Sequence, residues 1–168
     1  GVGNVGSAKR YSFSLEGNLR LDFLGVEGGL IETDINLRTS RTRNPFTGES
    51  TRFNNFRHVF TNLSYRHDLK DWGFSYGTGW RRRGRFQFQD IDEITIDKGP
   101  RDFIDIFVEA KLVGTLTARL EANNLLNENF GRVRQTFDQG VASGIISNTI
   151  DRDFHRGSRI IFSIKGTF

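Results

Sequence analysis

The feature that most constrains this chain is a two-residue alternation of apolar and polar side chains. From residue 11 to residue 23, each apolar residue or glycine is followed by a polar residue without interruption. Successive side chains of a β-strand point to opposite faces, so this pattern predicts a strand with one apolar face and one polar face. The segment is longer than the ~5–6 residues of an average strand and satisfies the ~9–11 residues of a tilted membrane-spanning strand.

The same alternation recurs in six further segments, which predicts seven strands in an all-β chain. The predicted strands lie near residues 11–23, 31–38, 59–66, 72–83, 104–112, 116–123 and 159–168. The predicted connections alternate between short ones, near 24–29, 66–71 and 113–114, and long polar ones, near 41–53, 87–101 and 127–156. Outer-membrane β-barrels show this alternation, because their periplasmic turns are short and their extracellular loops are long.

Composition excludes several other classes. No run approaches the ~18 consecutive apolar residues of a membrane helix, and the mean hydropathy is −0.47. A barrel strand tolerates such polarity, since only alternate residues face lipid. The 24 basic and 20 acidic residues give a mixed surface rather than a nucleic-acid footprint. There is no cysteine and the three histidines are scattered, so we expect no metal site, no cofactor and no enzyme activity.

An odd number of strands raises a problem of closure. An up-and-down antiparallel barrel in a single bacterial chain has an even number of strands. With seven, the first and last strands would run in the same direction, and hydrocarbon does not tolerate open sheet edges. The sequence therefore predicts about seven strands of a larger barrel, whose other strands come from a longer chain or from a second chain.

Several motifs resemble those of TonB-dependent outer-membrane receptors. Residues 120–127, Leu-Glu-Ala-Asn-Asn-Leu-Leu-Asn, are similar to a motif of that family's penultimate strand, and Phe130 follows where members often carry an aromatic residue. Gly157-Ser158-Arg159, the terminal Phe168 and residues 103–109 extend the resemblance over nearly the whole chain. It implies that residues 1–168 are the C-terminal portion of a transmembrane antiparallel up-and-down β-barrel of about 22 strands, without its plug.

The resemblance also implies a function and a location. Such receptors lie in the bacterial outer membrane and import scarce nutrients, such as iron chelates, vitamins or oligosaccharides, with energy passed through TonB. This chain would supply barrel wall and extracellular loops. Its partners would be outer-membrane lipid and lipopolysaccharide, the remaining barrel strands and the plug, the barrel-assembly machinery, and the TonB complex through the absent N-terminal part. Two alternatives stay open: a passive porin or another outer-membrane barrel (adhesin or enzyme), and a soluble β-sandwich binding module.

Four arginines stand close together near the end of the fourth predicted strand. Alternation would point Arg81, Arg83 and Arg85 into the lumen, where they could line a path for an anionic substrate or contact the plug. Arg82 would lie on the outer surface just beyond Trp80, where a guanidinium could bind lipopolysaccharide phosphates. The alternative for the lumenal arginines is pairing with carboxylates of the plug or of neighbouring strands, such as Glu32, Asp34 and Asp105.

Aromatic and apolar side chains suggest two further roles. Trp72 and Trp80 are separated by about 26 Å along an ideal strand at ~3.3 Å per residue, which suits an aromatic girdle at both membrane interfaces. In the outer-membrane proteins that the chain resembles, an alternating last strand with a terminal Phe is a signal for barrel assembly. Here that signal would comprise Ile160, Phe162, Ile164 and Phe168.

Overall fold

The computed structural model describes residues 7–43, 48, 50–52 and 57–166, which contain twelve strands and no α-helix. The strands are β1 (Lys9–Arg20), β2 (Gly29–Arg43), β3 (Ser50–Thr51), β4 (Val59–Leu69), β5 (Phe74–Arg83), β6 (Phe86–Gln89), β7 (Glu93–Asp97), β8 (Arg101–Lys111), β9 (Thr117–Asn123), β10 (Phe130–Phe137), β11 (Ile146–Phe154) and β12 (Arg159–Lys165). Short 3₁₀ turns cover Asp22–Leu24, Lys70–Trp72 and Val141–Ser143. Within these ranges, no helix is long and apolar enough to cross a membrane.

Seven long strands form the principal sheet, in the order β1-β2-β4-β5-β8-β9-β12. Every pairing is antiparallel, and β3 adds a short ladder to the end of β2. The seven predicted strands and their up-and-down order are therefore confirmed. The described residues form no closed barrel, because β1 and β12 occupy opposite edges of an open sheet.

The two ends of the principal sheet differ in their connections. At one end, here called the turn end, strands are joined by residues 21–28, 70–73 and 112–116. At the other, the loop end, they are joined by residues 44–58, 84–100 and 124–158. The predicted alternation of short and long connections is thus confirmed.

Two predicted strands are too long at the turn end. β1 ends at Arg20 rather than residue 23, because the Asp22 carboxylate accepts hydrogen bonds from Arg20 Nε (2.9 Å) and Gly28 N (3.0 Å) and fixes a turn. These bonds hold the pKa of Asp22 below its usual range. β5 begins at Phe74, because Trp72 belongs to a 3₁₀ turn that Gly73 terminates at φ 60°. Glycine adopts this left-handed backbone without steric cost.

The long polar connections near 87–101 and 127–156 were predicted to be loops. They instead contain most of a second sheet. Its strand order is β11-β10-β7-β6, all antiparallel. Cross-strand charge pairs hold β7 to β10, since Arg134 pairs with Glu93, and Arg132 Nε lies 3.0 Å from Asp97 Oδ1. β6 and β7 alternate but have only four and five residues, and β10 and β11 lack a continuous apolar phase, so alternation did not reveal the second sheet.

The register of the principal sheet brings the apolar phase of all seven strands onto one surface, here called the apolar face. One row of directly paired residues crosses the whole sheet and contains Leu19, Ile31, Tyr65, Thr78, Ile106, Ala122 and Ile160. The opposite surface, here called the polar face, has rows such as Glu16, Asp34, Asn62, Arg81 and Phe103. Seven independent alternations therefore agree in phase.

No second layer covers the apolar face among the described residues. Leu21 and Phe103 are the only buried apolar side chains among the described residues, and Phe103 lies on the polar face, whereas Phe13 is 57 % exposed and Phe162 65 % exposed on the apolar face. The chain has an accessible surface of 11623 Å², against roughly 8,400 Å² expected for a compact soluble protein of this mass. Among the described residues, the principal sheet therefore has no core between its apolar face and a second layer. A bare apolar surface of this kind marks a site of interaction.

The glycines of β5 offer a test of how closely the polar face is packed. A Cβ at Gly77 would lie 2.3 Å from the Tyr65 carbonyl oxygen and 2.5 Å from the Phe107 ring, whereas a Cβ at Gly79 would have no atom within 4 Å. We expect Gly77→Ala to destabilise the sheet by about 1–3 kcal/mol, measured by urea unfolding of the whole chain in detergent micelles with circular dichroism.

Gly79→Ala is the matched control, since it lies on the same strand and face. It should leave stability unchanged or raise it by up to about 1 kcal/mol, because alanine loses less backbone entropy than glycine on folding. Equal effects of the two substitutions would contradict the packing described for Phe107 over Gly77.

Candidate functional site

The polar face carries a network of ion pairs that joins β4, β8 and β9. Glu109 on β8 accepts from Arg66 Nη2 and from Arg119 Nη1, each at 3.2 Å. Each arginine also bonds a carboxylate on its own strand, Asp68 at 2.8 Å and Glu121 at 3.0 Å. The network pairs three carboxylates with two guanidiniums across three strands, and these contacts fix the strand register.

Phe107 lies beneath this network. The Arg119 guanidinium stands 4.0 Å and the Arg66 guanidinium 5.5 Å from its ring centroid, both within cation–π distance. The ring occupies the space that Gly77 leaves on β5. The two arginines, the ring and the glycine therefore form one packed unit on the polar face.

The structure separates the three arginines that were predicted to share the lumen. Arg81 and Arg83 do lie on the polar face, but Arg81 pairs with Asp105, as the alternative had it. Arg83 has no carboxylate of the described residues within ion-pair distance, and its guanidinium stands 5.9 Å from the Phe103 ring centroid. Arg85 lies beyond the end of β5, where its Nε donates to the Gly99 carbonyl at 3.1 Å. The predicted continuation of the strand phase to Arg85 is wrong.

Arg82 and Trp80 share a partner on the apolar side of the sheet. Trp80 Nε1 donates to Asp102 Oδ1 at 3.0 Å, and Arg82 Nη1 lies 3.8 Å from Asp102 Oδ2. Trp72 is 82 % exposed in its turn at the other end of the sheet. A girdle of these two tryptophans, and contact of Arg82 with lipopolysaccharide, stay predictions.

Asn124, within residues 120–127, has a structural role that its side chain and backbone conformation make plain. It is buried with φ 57°, a conformation that asparagine tolerates better than most residues. Its Nδ2 donates to the carbonyls of Glu128 (3.1 Å) and Gly157 (3.0 Å), and its Oδ1 accepts from Glu128 N (2.9 Å). Its own carbonyl accepts from Ser158 Oγ (2.7 Å). One side chain therefore ties the end of β9 to the start of β12.

The last strand has the exposure that an edge for assembly requires. Ile160 is 78 %, Phe162 65 % and Ile164 55 % exposed on the apolar face of β12. Phe168, the fourth residue of the predicted assembly signal, lies outside the described residues. Recognition by an assembly machinery stays a prediction.

A pocket at the loop end, which sequence reasoning missed, joins the two sheets. Its cavity of about 530 Å³ is lined by Arg57, Arg83, Asp97, Phe130, Gly131, Arg132, Phe154, His155 and Arg156. We call it the arginine pocket. Asp97 is only 5 % exposed and accepts from Arg57 Nη2 (3.1 Å) and from Arg132 Nε (3.0 Å).

Arg101 does not line the arginine pocket but contacts two residues that do, Gly131 and Phe130. It is 4 % exposed, its Nη2 donates to the Gly131 carbonyl at 3.0 Å, and its guanidinium stands 4.3 Å from the Phe130 ring centroid. Its Nη1 is buried without a hydrogen-bond partner. Arg156 approaches the same ring, at 5.1 Å. Only the contacts of distant strands bring these residues together, so their spacing in the sequence gave no signal.

A separate ion cluster lies on the neighbouring part of the second sheet. Lys98 Nζ lies 2.5 Å from Asp151 Oδ1 and 3.1 Å from Asp153 Oδ1. Hydrogen bonds to Asp151 and then Asp153 raise the pKa of Lys98. These two carboxylates are therefore engaged by Lys98 and do not line the arginine pocket.

Replacing Asn124 tests its role as the tie between β9 and β12. Asn124→Ala should lower the free energy of unfolding by about 1–3 kcal/mol, because it leaves partly buried backbone groups of Glu128 and Gly157 without their side-chain partner. Urea unfolding of the whole chain in micelles measures this. Asn127→Ala is the matched control, since Asn127 has φ 51° but an exposed side chain. Equal losses would show that backbone conformation alone, and not the buried side chain, sets the cost.

Comparison with known proteins adds no relative. No protein-family model matches the sequence, and neither a curated protein nor a solved structure matches it. The apolar face, the ion network, the Asn124 tie and the arginine pocket are therefore the observations from which a function is argued.

Proposed function

We propose that the chain forms part of the wall and outer loops of a β-barrel in the bacterial outer membrane, within a TonB-dependent importer of a scarce nutrient. The observation that carries this proposal is the continuous, uncovered apolar face of a seven-stranded antiparallel meander. Lipid is the solvent that such a face requires, since burial of apolar surface contributes about 25 cal/mol per Å².

The length and polarity of the strands support the membrane over a soluble sandwich. Among the seven strands, β1, β2, β4, β5 and β8 run for 10 to 15 residues, as a tilted membrane-spanning strand needs. A sandwich would pack a second sheet about 10 Å from the apolar face. The second sheet instead contacts the polar face, where the ring centroids of Phe130 on β10 and Phe103 on β8 are 6.0 Å apart.

The open edges support a wall that other strands complete. β1 and β12 both run from the loop end to the turn end, so they cannot pair with each other in antiparallel fashion. In hydrocarbon each unpaired backbone group costs several kcal/mol. We propose that further strands, from a longer chain or from another chain, continue the sheet from both edges and enclose the polar face.

The direction of import follows from the connections. The long connections build the second sheet and the arginine pocket, as outer loops that first meet a ligand would. Short connections would face the periplasm. Energy coupling through TonB rests on the resemblance of residues 120–130 and 157–159 to the receptor family.

Trp80 provides a test of lipid contact. In Trp72→Phe, the remaining tryptophan is Trp80, on the apolar face of β5. Reconstituted in bilayers, its fluorescence should fall by at least half when the lipid acyl chains carry bromine near the headgroup, and less when bromine is deep. Trp80→Phe, which leaves Trp72 in the turn, provides the comparison. No quenching of Trp80 by any brominated lipid would contradict the barrel-wall proposal.

Nutrient uptake by bacteria that produce the protein distinguishes an importer from a porin. Inactivation of TonB should abolish accumulation of the protein's nutrient but leave binding to the cell surface intact. A porin would transport equally well in both strains, and that outcome would overturn the TonB-dependent part of the proposal while leaving the barrel wall in place.

A further inference from the structure

We propose that the arginine pocket binds a compact soluble polyanion, a small molecule with two or more carboxylate or phosphate groups. The inference deepens the proposed function, because it names the ligand class that the outer loops would capture. It also stands on geometry of its own, since the pocket can be tested whether or not the principal sheet lies in a membrane.

The pocket concentrates positive charge that the described residues do not neutralise. Arg57 and Arg132 share Asp97, while Arg83 and Arg156 have no carboxylate of the described chain within ion-pair distance. The four arginines of the lining therefore meet a single carboxylate of the lining, that of Asp97. Like charges held this closely destabilise the unliganded pocket, and a bound anion would relieve that repulsion.

The burial of the Arg101 guanidinium makes its missing hydrogen bond costly. Arg101 is 4 % exposed and its Nη1 lacks a hydrogen-bond partner. A buried donor of a charged group without a partner costs several kcal/mol unless something satisfies it. Arg101 is joined to the pocket lining through Gly131 and the Phe130 ring. An anion in the pocket would add a second counter-charge beside Asp97.

The shape and chemistry of the lining define the ligand class. Guanidinium groups bind carboxylate and phosphate through two parallel hydrogen bonds, and their positions on four separate segments favour several acidic groups on one ligand. The rings of Phe130 and of Phe154, which is 51 % exposed, add apolar contact. A cavity of about 530 Å³ falls within the usual range for small molecules, ~300–1,000 Å³.

Neighbouring features limit what could occupy the pocket. Asp97 keeps Arg57 and Arg132 in place, so a single small anion such as acetate would gain little over the carboxylate already present. The arginines of the lining without a carboxylate partner among the described residues are Arg83, on β5, and Arg156, which precedes β12. A ligand with at least two separated acidic groups can engage both at once, and multiple simultaneous contacts raise affinity steeply.

Calorimetric titration tests the proposal. The whole chain, folded in neutral detergent, is titrated at low salt with citrate and with pyrophosphate, and with acetate as a monovalent control. At least one of the two polyanions should bind at least tenfold more tightly than acetate. Binding should weaken with added salt, because the attraction is screened. Failure of both polyanions to bind above the level of acetate would overturn the proposal.

Substitutions place the binding in the pocket. Arg83→Gln and Arg156→Gln should each weaken binding of the polyanion at least tenfold. Arg134→Gln, which removes an exposed arginine of β10 paired with Glu93 outside the lining, should change it less than twofold. Equal losses in all three variants would show diffuse attraction to a basic surface and would contradict a defined site.

A variant that should raise the affinity instead of lowering it separates loss of binding from loss of folding. Asp97→Asn removes the internal charge but keeps an amide oxygen that can accept from Arg57 or Arg132, so it should tighten binding of the polyanion, which a merely disrupted pocket would not do. Circular dichroism of each variant confirms that the strands are intact. A second titration uses micelles that contain lipopolysaccharide. Binding that appears only there, and not with the soluble polyanions, would identify a lipid phosphate contact and overturn the soluble ligand.

The two proposals fail in different ways. Loss of brominated-lipid quenching at Trp80 bears on the membrane wall alone, whereas loss of polyanion binding bears on the arginine pocket alone. A chain that binds citrate or pyrophosphate without contacting lipid would retain the pocket and exclude the barrel.

Discussion

The register between neighbouring strands is the constraint on which this structure depends. A shift of one residue in any pairing would transfer that strand's apolar side chains to the polar face. The row from Leu19 to Ile160 shows that six successive pairings avoid this shift. As a result, one face collects apolar side chains that no other part of the described chain covers, and the other collects charges that can pair.

The polar face reinforces the same register through specific contacts. Glu109 holds arginines on β4 and β9, and Phe107 fills the gap at Gly77 between them. Such cross-strand contacts stabilise a sheet where no second layer exists to do so. Side-chain contacts on the polar face thus stabilise the sheet, while the apolar face stays uncovered and suits an apolar solvent such as lipid.

The loop end follows a different rule from the rest of the sheet. Its contacts join residues far apart in the chain, such as Asn124 with Gly157 and Arg57 with Asp97. The side chain of Asn124 limits where β12 can begin by donating to the Gly157 carbonyl, and the arginine pocket forms beside the point where the second sheet meets Phe103. In a barrel wall, this arrangement would present a charged recess at the end from which a ligand arrives.

The sequence predicted the parts of the fold that depend on local alternation. Seven strands, their antiparallel order and the alternating connections all follow from a period of two. The second sheet did not, because the pairing of β7 with β10 depends on long-range charge pairs. Arg101 was placed in a connection, yet its burial depends on Phe130 and Gly131, about thirty residues later. Arg81 has the predicted face, but its partner Asp105 neutralises it.

Labelling along β4 tests most directly whether the apolar face contacts lipid. The chain has no cysteine, so single cysteines at residues 59 to 64 can each carry an environment-sensitive fluorophore in bilayers. Positions 59, 61 and 63, on the apolar face, should report a lipid environment, and positions 60, 62 and 64 a polar one. A uniform response at all six positions would contradict a sheet with one face in the membrane.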